Sequence, residues 1–159
     1  MSFSLRTNVP AHISLRMRKV RRANTAAELL MQNALFKAGI LFVTHAPVFG
    51  CTPDILIERY RIAIFVDGDF WHGRIALESG RKALKKSVRN TPGTFWFDKI
   101  LRNIDRDARQ TRKLRRNGWS VIRLWASDII KDAETAASSV SCRVRAKRRL
   151  MSKTRASAA

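Results

Sequence analysis

The chain has 159 residues, 32 Lys and Arg against 12 Asp and Glu, and a formal net charge of +20. With 45% hydrophobic residues, four Trp and eight Phe it can bury a core, which excludes a wholly disordered basic protein. No apolar run nears the ~18 residues of a membrane span, the N-terminus has no signal-peptide core, and Cys51 and Cys142 are too few for a disulfide scaffold. The expectation is a soluble, cytoplasmic protein of one domain, 24–130, with a basic arm at 1–23 and a C-terminal helix and basic tail at 131–159.

Thr25-Ala-Ala-Glu28 is a capping box, so a helix follows, with Leu29, Leu30, Ala34, Leu35 and Ala38 on its apolar side and Gly39 ending it. Ile40–Thr44 reads as a strand. Asp54–Glu58 and Ile62–Val66 read as a hairpin joined at Arg59-Tyr60-Arg61. Residues 67–93 carry glycines and basic residues and read as a long loop. Thr94 should cap a long helix with Phe97, Ile100, Leu101, Ile104, Ala108 and Thr111 on one stripe, closed by Asn117-Gly118. Trp119–Trp125 is a strand, and Ser127 with Asp128 opens a last helix. The order αβββαβ followed by a helix gives an α/β fold, a mixed central sheet flanked by helices. There are no internal repeats.

The basic residues are grouped. Residues 1–24 hold six with no acid, 74–90 hold six against Glu78, 99–116 hold eight against Asp105 and Asp107, and 143–155 hold seven with no acid. Such grouping makes surfaces for a phosphate backbone, whose contacts release counterions and carry affinity. For 143–159 a solvated tail is an equal reading. Charge alone does not separate a nuclease from a non-catalytic nucleic-acid binder.

The acids are few, so their places matter. Asp54 opens one central strand and Asp67 and Asp69 close the next. With antiparallel strands, Asp54 falls opposite residue 66 or 67, next to the turn into His72. Clustered carboxylates suit Mg²⁺, one or two ions, which activates water and neutralises a scissile phosphate. Asp54 also suits a turn after Pro53, Asp67-Gly68 is a turn dipeptide, and Glu28 is explained by the capping box. His72, directly after Phe70-Trp71, is a candidate proton-transfer group. Phe70, Trp71 and Trp96 suit a core, or a wedge between base steps of distorted DNA. Trp96 fits the core stripe less well than Phe97 or Ile100.

These residues resemble the very short patch repair DNA mismatch endonucleases. The matching segments are Met17 to Glu28, Thr52-Pro-Asp54, Ile64-Phe-Val-Asp-Gly-Asp-Phe-Trp-His-Gly73, Phe95-Trp96 with Lys99-Ile100 and Asn103, Arg106-Asp107, Gly118-Trp119 and Leu124-Trp125. They run in order over roughly residues 15–130. The resemblance implies a restriction-endonuclease-like core and Mg²⁺-dependent nicking 5′ to the thymine of a T:G mismatch, the lesion left by deamination of 5-methylcytosine. By position, Asp54 is similar to the metal-binding aspartate, Val66 to the residue whose backbone carbonyl helps hold the ion, His72 to the catalytic histidine and Glu28 to the N-terminal glutamate of the site. Phe70, Trp71 and Trp96 are similar to the wedge beside the mismatch. Met17 falls where an arm residue enters the other groove, and Arg18, Arg74, Lys85 and Lys86 are candidate DNA contacts.

Two departures qualify the resemblance. Members of the family hold a structural zinc where this chain has Asp69, Gly73-Arg74 and Ala126-Ser127, so no zinc is expected and Asp69 is free to pair with Arg74 or Arg81. Asp67 stands where better-known members have a histidine, and a carboxylate there is expected to join Asp54 on the metal. The sequence thus points to a monomeric mismatch-nicking endonuclease acting on double-stranded DNA, without membrane association and with a functional link to a cytosine DNA methyltransferase. A restriction-type or structure-specific nuclease of the same fold is the alternative, and a non-catalytic basic DNA-binding protein the second.

Overall fold

Thr25 caps the first described helix in a computed structural model that describes residues 25–89 and 94–156. Its hydroxyl accepts from the Glu28 amide at 3.3 Å and donates to Glu28 Oε1 at 2.8 Å, so the capping box closes hydroxyl to carboxylate. Helix α1, Ala26–Lys37, buries Ala27, Met31, Ala34 and Leu35, a stripe at helical spacing. Leu29 and Leu30, expected on that stripe, are exposed. They lie about 100° per residue from it, and Ala27 and Met31 take the inner positions instead.

Strands β1 (Val43–Thr44), β2 (Ile55–Ile57) and β3 (Ile62–Asp67) form an antiparallel meander. A 3-10 turn over Glu58–Tyr60 joins β2 to β3, with Arg61 in the left-handed region at φ 50°. Strand β4, Ser120–Trp125, lies parallel to β3, with Val66 opposite Leu124 and Asp67 opposite Trp125. The sheet order is β1-β2-β3-β4. A parallel pair needs a long crossover, and helices α2 (Arg74–Ser87) and α3 (Phe95–Arg116) supply it. Helix α4, Ala126–Lys131, and helix α5, Ala133–Ala156, complete the described chain. A mixed sheet between helices is the arrangement expected.

Residues 67–93 are not one long loop, because 74–87 are helical. Leu84 is buried and Val88 beside it, an i, i+4 pair facing α3, while the basic residues point outward. Gly80, at φ 85°, interrupts this helix. Thr94 makes no capping hydrogen bond and has helical backbone, so α3 begins at Phe95 without the expected cap. The last helix is two. Asp132 opens α5, accepting from the Thr135 amide at 2.9 Å and from its hydroxyl at 2.6 Å. Basic residues 143–153 continue on this helix rather than in a tail. Among the described residues, no helix is long and apolar enough to cross a membrane.

Side chains of β3 alternate between two cores. Ile62 and Ile64 pack with α1, α4 and α5 through Met31, Leu35, Ile129 and Val140. Ala63 and Phe65 pack with Leu114 of α3. The alternation places Asp67 on the α3 side and leaves α1, with Glu28, on the other.

Candidate active site

Asp54 precedes β2, and its Oδ2 accepts from the Val66 amide at 2.7 Å. This bond ties the start of one strand to the end of the next. Glu28, buried on the first turn of α1, and His45, just after β1, face the same point. One ligand atom each of Glu28, His45 and Asp54 lies within 4.8 Å of the others. Burial, opposed by the Val66 amide and assisted by the Glu28 charge, pushes the Asp54 carboxyl above its ordinary range. No Lys or Arg among the described residues pairs with Asp54. Two carboxylates and an imidazole converging at the strand ends are a donor set that fits a divalent ion. The sequence missed His45, for which no spacing signal existed.

A second cluster stands across the end of β3. His72 Nδ1 lies 2.5 Å from Asp107 Oδ2 and 3.2 Å from Asp67 Oδ1. Arg123 donates to Asp67 through Nε and Nη2, 2.6 Å each, and stacks on Phe65 at 4.6 Å. This corrects the expectation for Asp67. Strand alternation turns it toward α3, where both its oxygens are held by Arg123, so it does not share the Asp54 cluster. Asp107 is pushed up by burial, but the His72 hydrogen bond and the Arg123 and Arg106 charges hold it below the ordinary carboxylate range. With two carboxylates facing it, Nδ1 is the ring's donor, which leaves Nε2 as acceptor. A cavity of about 390 Å³ opens beside His72, lined also by Thr111, Arg112 and Arg115. The sequence identified neither Asp107 nor Arg123 as a site residue. Asp107 lies in the Arg106-Asp107 segment that resembles the family, and only the placement of α3 across β3 brings it to His72.

The turn carrying Phe70 to Gly73 is held against α3. Asn103 Nδ2 donates to the Trp71 carbonyl at 2.9 Å. Gly73 adopts φ 68°, and a Cβ there would lie 2.6 Å from Ile104 Cδ1 and 2.8 Å from Ile100 Cγ2. A larger residue there would have to displace these two isoleucines of α3 and would be strained at this φ. Trp71 and Trp96 rings lie 5.2 Å apart, with Phe70 5.1 Å from Trp71 and Lys99 Nζ 5.2 Å above Trp96. Trp96 is buried at 5% exposure, more so than Phe97, which corrects the reading that Phe97 fits the core stripe better. Phe70, at 44%, is the exposed aromatic, and Trp71 is half-buried.

Asp69 pairs with Arg74, not Arg81. Arg74 Nη1 donates to Asp69 Oδ1 at 3.0 Å, Ser127 Oγ at 2.8 Å and Asp128 Oδ1 at 2.8 Å, while Nε meets Glu78 at 2.7 Å. Asp69 also accepts from the Ser127 amide and hydroxyl, at 3.2 and 2.6 Å. This network ties the turn after β3 to α4. It also corrects Arg74 as a DNA contact, because its guanidinium is engaged by three carboxylates. Lys85 and Lys86 are exposed on α2. Met17 and Arg18 lie outside the described residues.

Comparison with known proteins accords with this geometry. The family model described as DNA mismatch endonuclease Vsr matches residues 7–77. The chain is 36% identical over 135 residues to the type II nicking enzyme V.NmeDIP of Neisseria meningitidis serogroup C, covering 84% of this chain and 86% of that one. It is 35% identical to the type II nicking enzyme V.HpaIIP of Haemophilus parainfluenzae, covering 72% and 77%. It is 30% identical to the DNA mismatch endonuclease Vsr of Escherichia coli strain K12, covering 70% and 67%. A solved structure of the homing endonuclease I-Bth0305I catalytic domain matches in fold, with a TM-score of 0.51 at 16% identity, over 78% of this chain and 98% of that one. The core is therefore restriction-endonuclease-like, and the chain belongs to the DNA mismatch endonuclease Vsr family, a family of DNA endonucleases.

Proposed function

We propose that this protein nicks one strand of duplex DNA 5′ to the thymine of a T:G mismatch, opening very short patch repair, with Mg²⁺ at Asp54. The observation that carries the reading is the juxtaposition, at the ends of β2 and β3, of the Glu28–His45–Asp54 and Asp67–His72–Asp107 clusters beside an aromatic group. The names of the relatives, mismatch endonuclease and nicking enzyme, support the same activity.

Asp54, the Val66 carbonyl and Glu28 would hold the ion. When bound, it lowers the pKa of a water and offsets charge developing on the scissile phosphate. His72 transfers a proton at Nε2, with Asp107 and Asp67 orienting its ring through Nδ1. Asp67 serves His72 rather than the metal, which removes the support that a carboxylate pair gave to the restriction-type reading. Phe70 and Trp71 stack beside the mismatch, and Trp96 backs them. Lys85, Lys86, Arg18 and the basic arm 1–23 neutralise phosphates, and Met17 enters the opposite groove. The Arg74–Asp69–Ser127 network takes the place of a structural zinc. The protein acts as a cytoplasmic monomer and serves sites made by a cytosine DNA methyltransferase.

The test is a T:G duplex labelled differently on each strand and incubated with Mg²⁺. The expected product is one cut strand, broken 5′ to the thymine, with the guanine strand intact. Cleavage of both strands, or of neither, overturns the proposal.

A further inference from the structure

The Asp54 cluster contains a nitrogen that the proposed reaction does not use. His45 follows β1 directly, and the pairing of Thr44 with Ile55 carries it alongside Asp54. Its backbone is left-handed, at φ 51°, and its amide donates to the Asp54 carbonyl at 3.2 Å. The ring therefore points at the carboxylates from a backbone position that few residues occupy. Nε2 is shielded from solvent and has no hydrogen-bond partner among the described residues. Glu28 Oε2 stands 3.5 Å away, within ion-pair range but without hydrogen-bond geometry. A shielded imidazole nitrogen that faces two carboxylates and makes no hydrogen bond among the described residues is placed as a metal ligand would be.

We propose that His45 Nε2 is a third protein ligand to the divalent ion at Asp54, and that it shifts the site's preference from Mg²⁺ toward Mn²⁺ or Co²⁺. The inference rests on the reading of Asp54 as the metal residue. Mg²⁺ is hard, takes oxygen ligands and keeps its waters, whereas imidazole suits the first-row transition ions. Two carboxylates and one imidazole within 4.8 Å of one another can all reach one such ion. With oxygens alone, this pocket would have no reason to favour Mn²⁺ over Mg²⁺ beyond their ordinary difference.

The experiment measures ion binding to the full chain by calorimetry, with Mn²⁺ and with Mg²⁺. Wild type, His45→Gln and Asp54→Ala are compared, and electron spin-echo spectroscopy of the wild-type Mn²⁺ complex reads nitrogen coupling. The expected result is Mn²⁺ bound at least about tenfold more tightly than Mg²⁺, a nitrogen modulation from one imidazole, and loss of most of that preference in His45→Gln. Asp54→Ala should lose both ions. An unchanged ion preference in His45→Gln with no nitrogen coupling overturns the proposal and leaves Asp54 as the metal residue. Undiminished binding in Asp54→Ala overturns the underlying reading as well. If His45→Gln does not fold, the wild-type nitrogen coupling decides alone.

Discussion

Replacing Asp107 with Asn tests how the site orients His72. In the wild type, Nδ1 is held by Asp107 at 2.5 Å and less closely by Asp67 at 3.2 Å, whose oxygens also serve Arg123. The amide keeps the shape but removes the charge, and it can present a donor to Nδ1 where an acceptor stood. A charge-assisted hydrogen bond contributes about 1.5–3 kcal/mol, which at ~1.4 kcal/mol per tenfold is a rate loss of about 10- to 150-fold. Asp67 still favours the same tautomer, so the loss should stay at that level and grow when Asp67→Asn is added. The assay is single-turnover nicking with saturating enzyme, alongside DNA affinity and thermal stability. Affinity should stay within about twofold, because Asp107 is buried beneath the turn and not offered to DNA. The Asp107 carboxyl is held below its ordinary value, so its contribution to stability is fully present above pH 3.8 and is lost as pH falls through the depressed folded value. The melting temperatures of variant and wild type should therefore converge in acid. Wild-type nicking by a folded Asp107→Asn would refute the orienting role.

Other consequences follow from the same geometry. Asp54→Asn should stabilise the metal-free protein at pH 7, because burial raises the folded carboxyl and ionising it opposes folding. The gain should vanish as pH falls below 3.8, and added Mn²⁺ should raise the melting temperature of wild type but not of the variant. A less stable Asp54→Asn at pH 7 would count against this sign. Gly73→Ala should lower stability by about 1–3 kcal/mol in denaturant unfolding, since the methyl meets two isoleucines of α3; an unchanged midpoint would mean that the turn yields freely. Arg123→Met leaves Asp67 and Asp107 without their shared cation and should cost about 3 kcal/mol or more, read the same way. A loss under 1 kcal/mol would assign that pair to the solvent-screened class.

Much of the architecture was legible because strands and capping leave local signals. The Thr25–Glu28 box, the hairpin runs and Asn117-Gly118 each state a boundary in a few residues. The helix over Arg74–Ser87 was hidden because glycines and basic residues read as a loop, while its buried apolar positions, Leu84 and Val88 just past its end, are few and face another helix. Asp54, Glu28 and His72 were legible by motif. Their partners were not. Asp107 meets His72 across 35 residues and Arg123 meets Asp67 across 56, so both pairings depend on how α3 and β4 cross β3. Asp67 was misplaced for the opposite reason: nearness to Asp54 in the hairpin suggested a shared metal, and side-chain alternation sends it to the other face.

Nicking rates should be compared on three duplexes that differ at one pair, T:G, T:A or C:G, set in a pool of flanking sequences. Each is run with Mg²⁺ and with EDTA, and with Asp54→Ala as control. A mismatch-nicking enzyme cuts the T:G duplex alone, only with the divalent ion, and loses cutting but not binding in Asp54→Ala. Equal cutting of the matched duplexes, or cutting that survives EDTA and the Asp54 substitution, would contradict it.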